Sequence, residues 1–153
     1  MANYSIESVT ELRELTGMGM MDIKNALEEA QGDRSRALEL LKERGAKIMA
    51  KKSDRATGEG LIESYVHGGR IGVLVEVNCE TDFVSRSELF KEFTHDLGLQ
   101  ISSMAPETVE ELLEQPFIKD SKLTIADYLR DTTSKIGERI VVKRFVRFVL
   151  GQE

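Results

Sequence analysis

Nine residues, Arg70-Ile-Gly-Val-Leu-Val-Glu-Val-Asn78, leave this chain few choices of architecture. The run is rich in β-branched side chains, whose restricted rotamers suit a pleated surface better than a helix. Apolar residues occupy both of its faces, so it reads as a largely buried strand. The turn His67-Gly-Gly-Arg70 leading into it suits a tight hairpin, and Leu61-Ile-Glu-Ser-Tyr-Val66 before the turn reads as a partner strand. Just after the run stands Thr81-Asp82-Phe83-Val84, and helical periodicity resumes at Ser85. A phenylalanine at such a strand-to-helix corner either tucks into its own core or reaches into another protein's.

Upstream of residue 59 the pattern is helical. Ser8 and Glu11 stand at capping-box spacing, Ser5 offers an earlier start, and Val9, Leu12 and Leu15 form one stripe up to Thr16-Gly17. After Met18-Gly19-Met20-Met21, a second helix carries Ile23, Ala26, Leu27 and Ala30 on one face and stops at Gly32. Asp33 caps a third, with Ala37, Leu38 and Leu41 inward and Gly45 as its terminator. Residues 1–45 are thus expected to form a three-helix domain, near the lower limit of independent stability. The basic stretch 46–58 is the expected linker, with Lys47, Lys51 and Lys52 as solvated hinge residues.

Downstream of the corner, a helix at 86–104 sets Leu89, Phe90, Phe93, Leu97, Ile101 and Met104 toward the core and ends before Pro106. A short helix at 107–114 and a connection through Pro116-Phe-Ile118 lead to a helix from Thr124 to Ile136, closed by Gly137. The last segment, Arg139 to Leu150, is a strand in which Arg144 and Val146 alternate with Phe145, Arg147 and Val149. The expected fold class is α+β: a three-helix module, then residues 59–153 as a small three-stranded antiparallel sheet covered by helices.

The net charge of −6 argues against nucleic acid as the main partner. Cys79 is the only cysteine, which rules out an internal disulfide and a multi-cysteine zinc site and suits the cytosol or an organelle interior. No secretory signal is expected from the N-terminal residues, and no apolar run is long enough to span a membrane. There is no P-loop, dinucleotide fingerprint, nucleophile elbow or metalloprotease helix. His67 in a turn and His95 on a helix read as surface residues, Cys79 as a small buried hydrophobe, and Glu28-Glu29 and Glu110-Glu111 as diverging helix neighbours. No catalytic set, metal site or cofactor site emerges. A binding protein is expected.

Two motifs carry a family resemblance. Leu12-Arg-Glu-Leu-Thr-Gly-Met-Gly-Met-Met-Asp22, continuing to Lys24-Asn-Ala-Leu27, and Val75-Glu-Val-Asn-Cys-Glu-Thr-Asp-Phe-Val84 resemble the signatures of bacterial and organellar elongation factor Ts, in order and in separation. Gly45-Ala-Lys47, Lys51-Lys52 and Lys135-Ile-Gly-Glu-Arg-Ile-Val-Val-Lys-Arg144 fit as well, so the resemblance covers essentially the whole chain. It implies a guanine-nucleotide exchange factor that binds elongation factor Tu·GDP and promotes GDP release, without cofactor, metal, direct nucleic-acid contact or membrane. It also implies that the first domain resembles ubiquitin-associated modules. In the family the Thr-Asp-Phe-Val segment enters the partner's GTPase domain beside the Mg²⁺ and phosphate site; the matching residues are Thr81, Asp82, Phe83 and Val84. The family's N-terminal contacts map onto Arg13, Met20 and Met21. A unit this small needs apolar residues of its own, so one of the two methionines is expected to pack inward.

Long members of the family have two core halves, a coiled-coil insertion and a C-terminal module. This chain has room for one half, and its Ala105–Gln115 stretch is short even beside compact members. A three-stranded sheet leaves an edge unpaired, so a homodimer through residues 59–153, binding two partner molecules, is expected. Some compact members link the dimer through a cysteine in the final strand. The matching position is Val146, so no covalent link is expected. The rival reading is a ubiquitin-associated-type adaptor that recognises ubiquitin-like folds through Met18-Gly19-Met20 and has no exchange activity. It leaves residues 59–153 unexplained.

Overall fold

In the computed structural model, which describes residues 3–152, the chain opens with α1 (Ile6–Thr16), α2 (Met20–Glu29) and α3 (Arg34–Lys52). Ser5 rather than Ser8 caps α1, its Oγ accepting from the Ser8 amide at 3.2 Å. Gly17 ends that helix at φ +65°, donating to the Arg13 carbonyl. Asp33 caps α3 through the Arg36 amide. Val9, Leu12, Met18, Ile23, Ala26, Leu27, Ala30, Ala37 and Leu41 bury together between the three helices.

The helix expected to stop at Gly45 runs on to Lys52, so much of the basic stretch 46–58 is helical. Residues 46–52 are mostly strong helix formers and contain no breaker. Gly45 is buried, and a β-carbon there would stand 3.4 Å from Ser134 Oγ on α7 (Ile125–Ile136). The glycine therefore permits close helix packing, which outweighs its usual helix penalty of about 1 kcal/mol.

The second core is built on β1 (Glu59–His67), β2 (Ile71–Cys79) and β5 (Val141–Val149), in the order β1-β2-β5 with both pairs antiparallel. Gly68 and Gly69, at φ +58° and +68°, are the central residues of the turn between β1 and β2, closed by the Arg70 amide donating to the His67 carbonyl at 3.0 Å, a conformation few other residues adopt. Pairing shifts between Glu76↔Arg144 and Val77↔Val142, so Lys143 is the extra residue of a bulge. That bulge separates the apolar start of β5 from its alternating remainder.

Val73, Val75 and Val77 face α5 (Glu88–Met104), which lays Phe90, Phe93, Leu97 and Ile101 on them. Leu89 and Met104 were expected inward too, but both are exposed. Leu89 lies one helical step off the stripe, and Met104 is the helix's last residue.

Beyond α5, α6 (Val109–Glu114) precedes a feature absent from the expected fold. β3 (Pro116–Phe117) and β4 (Asp120–Thr124) pair as a two-stranded antiparallel ribbon where a plain connection was expected. Buried Gln100 organises it, donating to the Pro116 carbonyl (3.0 Å) and accepting from the Ile118 amide (2.9 Å). α7 follows behind a capping box between Thr124 and Asp127. Buried Asp96 on α5 takes the Tyr128 hydroxyl and the Lys119 ammonium, each at 2.6 Å, which compensates its burial. No helix among the described residues is long and apolar enough to cross a membrane.

Candidate partner-binding site

The corner after β2 is a single helical turn, α4 (Asp82–Ser85). Four residues cannot sustain a helix by themselves, because nucleation fixes several dihedrals for one hydrogen bond. Side chains hold this one. Thr81 caps it, its Oγ1 accepting from the Val84 amide at 3.3 Å. Ser85 Oγ donates back to the Asp82 carbonyl and Ser87 Oγ to the Val84 carbonyl. Beneath the turn, Cys79 Sγ donates to the Thr81 carbonyl at 3.1 Å. Burial, with the negative charge of Glu138 adding to it, pushes the Cys79 thiol up to about 11, so this cysteine is an inert packing residue.

The turn sorts the four predicted residues. Phe83 projects into solvent with 83% of its surface exposed. Asp82 and Thr81 are also exposed, and Asp82 lies 3.5 Å from Arg86 one turn on. Val84 points the other way and is buried among Val77, Cys79, Phe90 and their neighbours. It anchors the corner, while the three residues before it are accessible.

On the first module, Arg13, Met20 and Met21 are all exposed. The expectation that one of the two methionines packs inward fails. Met18 fills that place at 8% exposure, and the inward stripe of α2 begins only at Ile23. The fold also brings together what lies apart in the sequence. Both histidines flank Tyr65, whose hydroxyl is 3.0 Å from His67 Nδ1 and whose ring meets His95 edge-on.

Two features escaped sequence reasoning. Glu138, just past α7, reaches across to residues 80 and 81, more than fifty positions away in the chain, and no local pattern announces that contact. The second is the outer face of the sheet. Ile62, Val66, Leu74, Val146 and Phe148 all stand exposed on the side away from α5. Leu74 lies directly opposite Val146 in the ladder, and the Glu76–Arg144 ion pair at 2.8 Å rims the patch. The Arg144 hydrogen bond holds the Glu76 carboxyl below its usual range. The alternation of β5 was the available signal, since its solvent side ends in a phenylalanine.

Residues 80–153 match the family model described as "Elongation factor TS". The elongation factor Ts of Rubrobacter xylanophilus is 45% identical over 95% of this chain and 98% of its own length. That of Alkaliphilus oremlandii is 42% identical over 94% of this chain and 88% of its own. That of Carboxydothermus hydrogenoformans is 42% identical over 95% and 88%. The Alkaliphilus alignment spans 189 positions, more than the 153 residues of this chain, so the relative carries segments with no counterpart here. The chain belongs to the elongation factor Ts family.

Proposed function

We propose that this protein is a guanine-nucleotide exchange factor of translation elongation, acting on elongation factor Tu·GDP in the cytosol or an organelle interior. The observation that carries the reading is Phe83, an aromatic ring left in solvent on a turn fixed from several sides. An exchange factor needs no proton transfer. It must bind the nucleotide-free GTPase more tightly than the nucleotide-bound form, and by linkage it lowers nucleotide affinity by the factor that nucleotide lowers its own. A ring presented on an ordered turn suits that task, because it separates packed side chains while little conformational entropy remains to be lost. Asp82 brings negative charge toward the Mg²⁺ and phosphate region, and Thr81 holds the turn that presents both. Val84 serves from inside. Arg13, Met20 and Met21 supply a second contact, the methionines as adaptable apolar surface and the guanidinium as a hydrogen-bond donor.

The apolar outer face of the sheet makes a homodimer the natural state, with two sheets packed face to face and two partners bound. It replaces the unpaired edge as the stronger reason for association. The adaptor reading loses its central residue, since Met18 is buried in the module's own core.

GDP release from elongation factor Tu tests the function. Stimulation by the parent protein that disappears in the Asp82→Ala/Phe83→Ala double variant is expected. Undiminished stimulation by that variant refutes the site, and no stimulation by the parent refutes the function.

A further inference from the structure

The corner that presents Asp82 and Phe83 is held from a distance by one carboxylate. Glu138 sits between α7 and β5, directly after Gly137, which closes α7 at φ +81°. Its Oε1 accepts from the amides of Glu80 (3.1 Å) and Thr81 (3.0 Å), and its Oε2 accepts from the Thr81 hydroxyl (2.7 Å). The contact is reciprocated. Glu80 Oε1 accepts from the Arg139 amide at 2.7 Å and lies 3.5 Å from the Arg55 guanidinium. Arg139 in turn donates through its guanidinium to the Arg55 carbonyl at 2.6 Å. Two carboxylates thus clamp two backbone segments to each other, one leading into the corner and one leading into the last strand.

The third of these bonds bears on the turn itself. A threonine that caps a helix must direct a lone pair at the N3 amide, so its hydroxyl proton has to go elsewhere. Here the proton goes to Glu138 Oε2, which leaves Oγ1 oriented to accept from the Val84 amide at 3.3 Å. Hydrogen bonds to a carboxylate are roughly twice as strong as neutral ones. The two amides taken by Oε1 come immediately before Asp82. Without the clamp, the entry to the turn at residues 80 and 81 would have to be ordered at the moment of binding, because the Ser85 and Ser87 bonds and buried Val84 hold only its far side.

We infer that Glu138, seconded by Glu80, is the positioning residue of the exchange site: it presets the turn that presents Asp82 and Phe83 without touching the partner. The inference rests on the proposed function and adds to it a residue on a different element. Exchange should therefore suffer in the turnover of the assembled complex more than in its assembly, because Arg13, Met20 and Met21 still hold the partner.

The test is GDP release from elongation factor Tu, measured over a range of concentrations of the full chain. Glu138→Ala is expected to lower the maximal rate about tenfold, on the order of 1.4 kcal/mol. The half-saturating concentration should change much less. Glu138→Gln keeps an oxygen for the two amides but gives up acceptance from the Thr81 hydroxyl, so a loss of about threefold is expected. In the Phe83→Ala background, Glu138→Ala should have no further effect. Amide hydrogen exchange of the free variants should lose protection at Val84–Arg86 while α5 keeps its own. Full activity of Glu138→Ala beside an inactive Phe83→Ala overturns this inference and leaves the proposed function standing. Full activity of Phe83→Ala overturns the assignment of Phe83 in the exchange site, and no stimulation by the parent protein overturns the proposed function itself. Losses that simply add in the double variant, or loss of protection throughout α5, assign Glu138 a general structural role and overturn the inference.

Discussion

Replacing Phe83 with alanine removes a ring that the protein's own core hardly touches. With 83% of the residue exposed, about a sixth of its surface is withdrawn from water. A fully buried aromatic withdraws about 150–250 Å², so Phe83 withdraws roughly 40 Å² at most, worth about 1 kcal/mol at about 25 cal/mol per Å². Phe93 supplies the contrast. It is fully buried between the sheet and α7, its ring 5.0 Å from that of Tyr128, and Phe93→Ala should cost about 3–5 kcal/mol. In a chain of this size about 1 kcal/mol moves the melting midpoint by about 2–4 °C. Urea and thermal melts of both variants, at one protein concentration so that any association of copies contributes equally, should therefore separate them widely. A loss above about 3 kcal/mol in Phe83→Ala would place the ring in the protein's own core and refute the reasoning.

Phe148→Glu puts a charge into the outer apolar face without entering the core, and light scattering is expected to give a monomer mass with the circular dichroism unchanged. A persistent dimer would remove that face as the interface. Asp131 tests the packing of α7 against the first module. Burial raises its carboxyl above the ordinary value of 3.8, so between that value and the raised one the folded state holds the proton more readily than the unfolded chain. Stability is then lost as pH rises through the interval. Asp131→Asn should raise the melting temperature at neutral pH, the gain vanishing below pH 3.8, and a gain that grows in acid would contradict this.

Local chemistry made most of the fold legible. The β-branched run, the glycine pair of the hairpin, the cap at Asp33 and the start of a helix at Thr124 each depend on a few neighbouring residues, so their placement followed from spacing alone. What failed depended on distant partners. Gly45 looked like a stop because nothing in the sequence says that Ser134 packs beside it. The β3–β4 ribbon was invisible because Gln100, on another helix, supplies its hydrogen bonds. Within the site, the corner at Thr81–Phe83 was readable from an aromatic where a loop should be polar. The inward turn of Val84 and the outward position of both Met20 and Met21 were not, since each depends on which neighbour fills the core first. Glu138 lay within a family motif, yet its role needed three-dimensional contact to be seen.

Release of fluorescent GDP from elongation factor Tu, followed with the parent chain, Phe83→Ala and Phe93→Leu, separates presentation of the ring from integrity of the fold. The expected result is rapid release with the parent and with Phe93→Leu, and near-basal release with Phe83→Ala despite its almost unchanged melting temperature. Parent-like release by a folded Phe83→Ala would contradict the assignment of that ring as the group that opens the partner's nucleotide site.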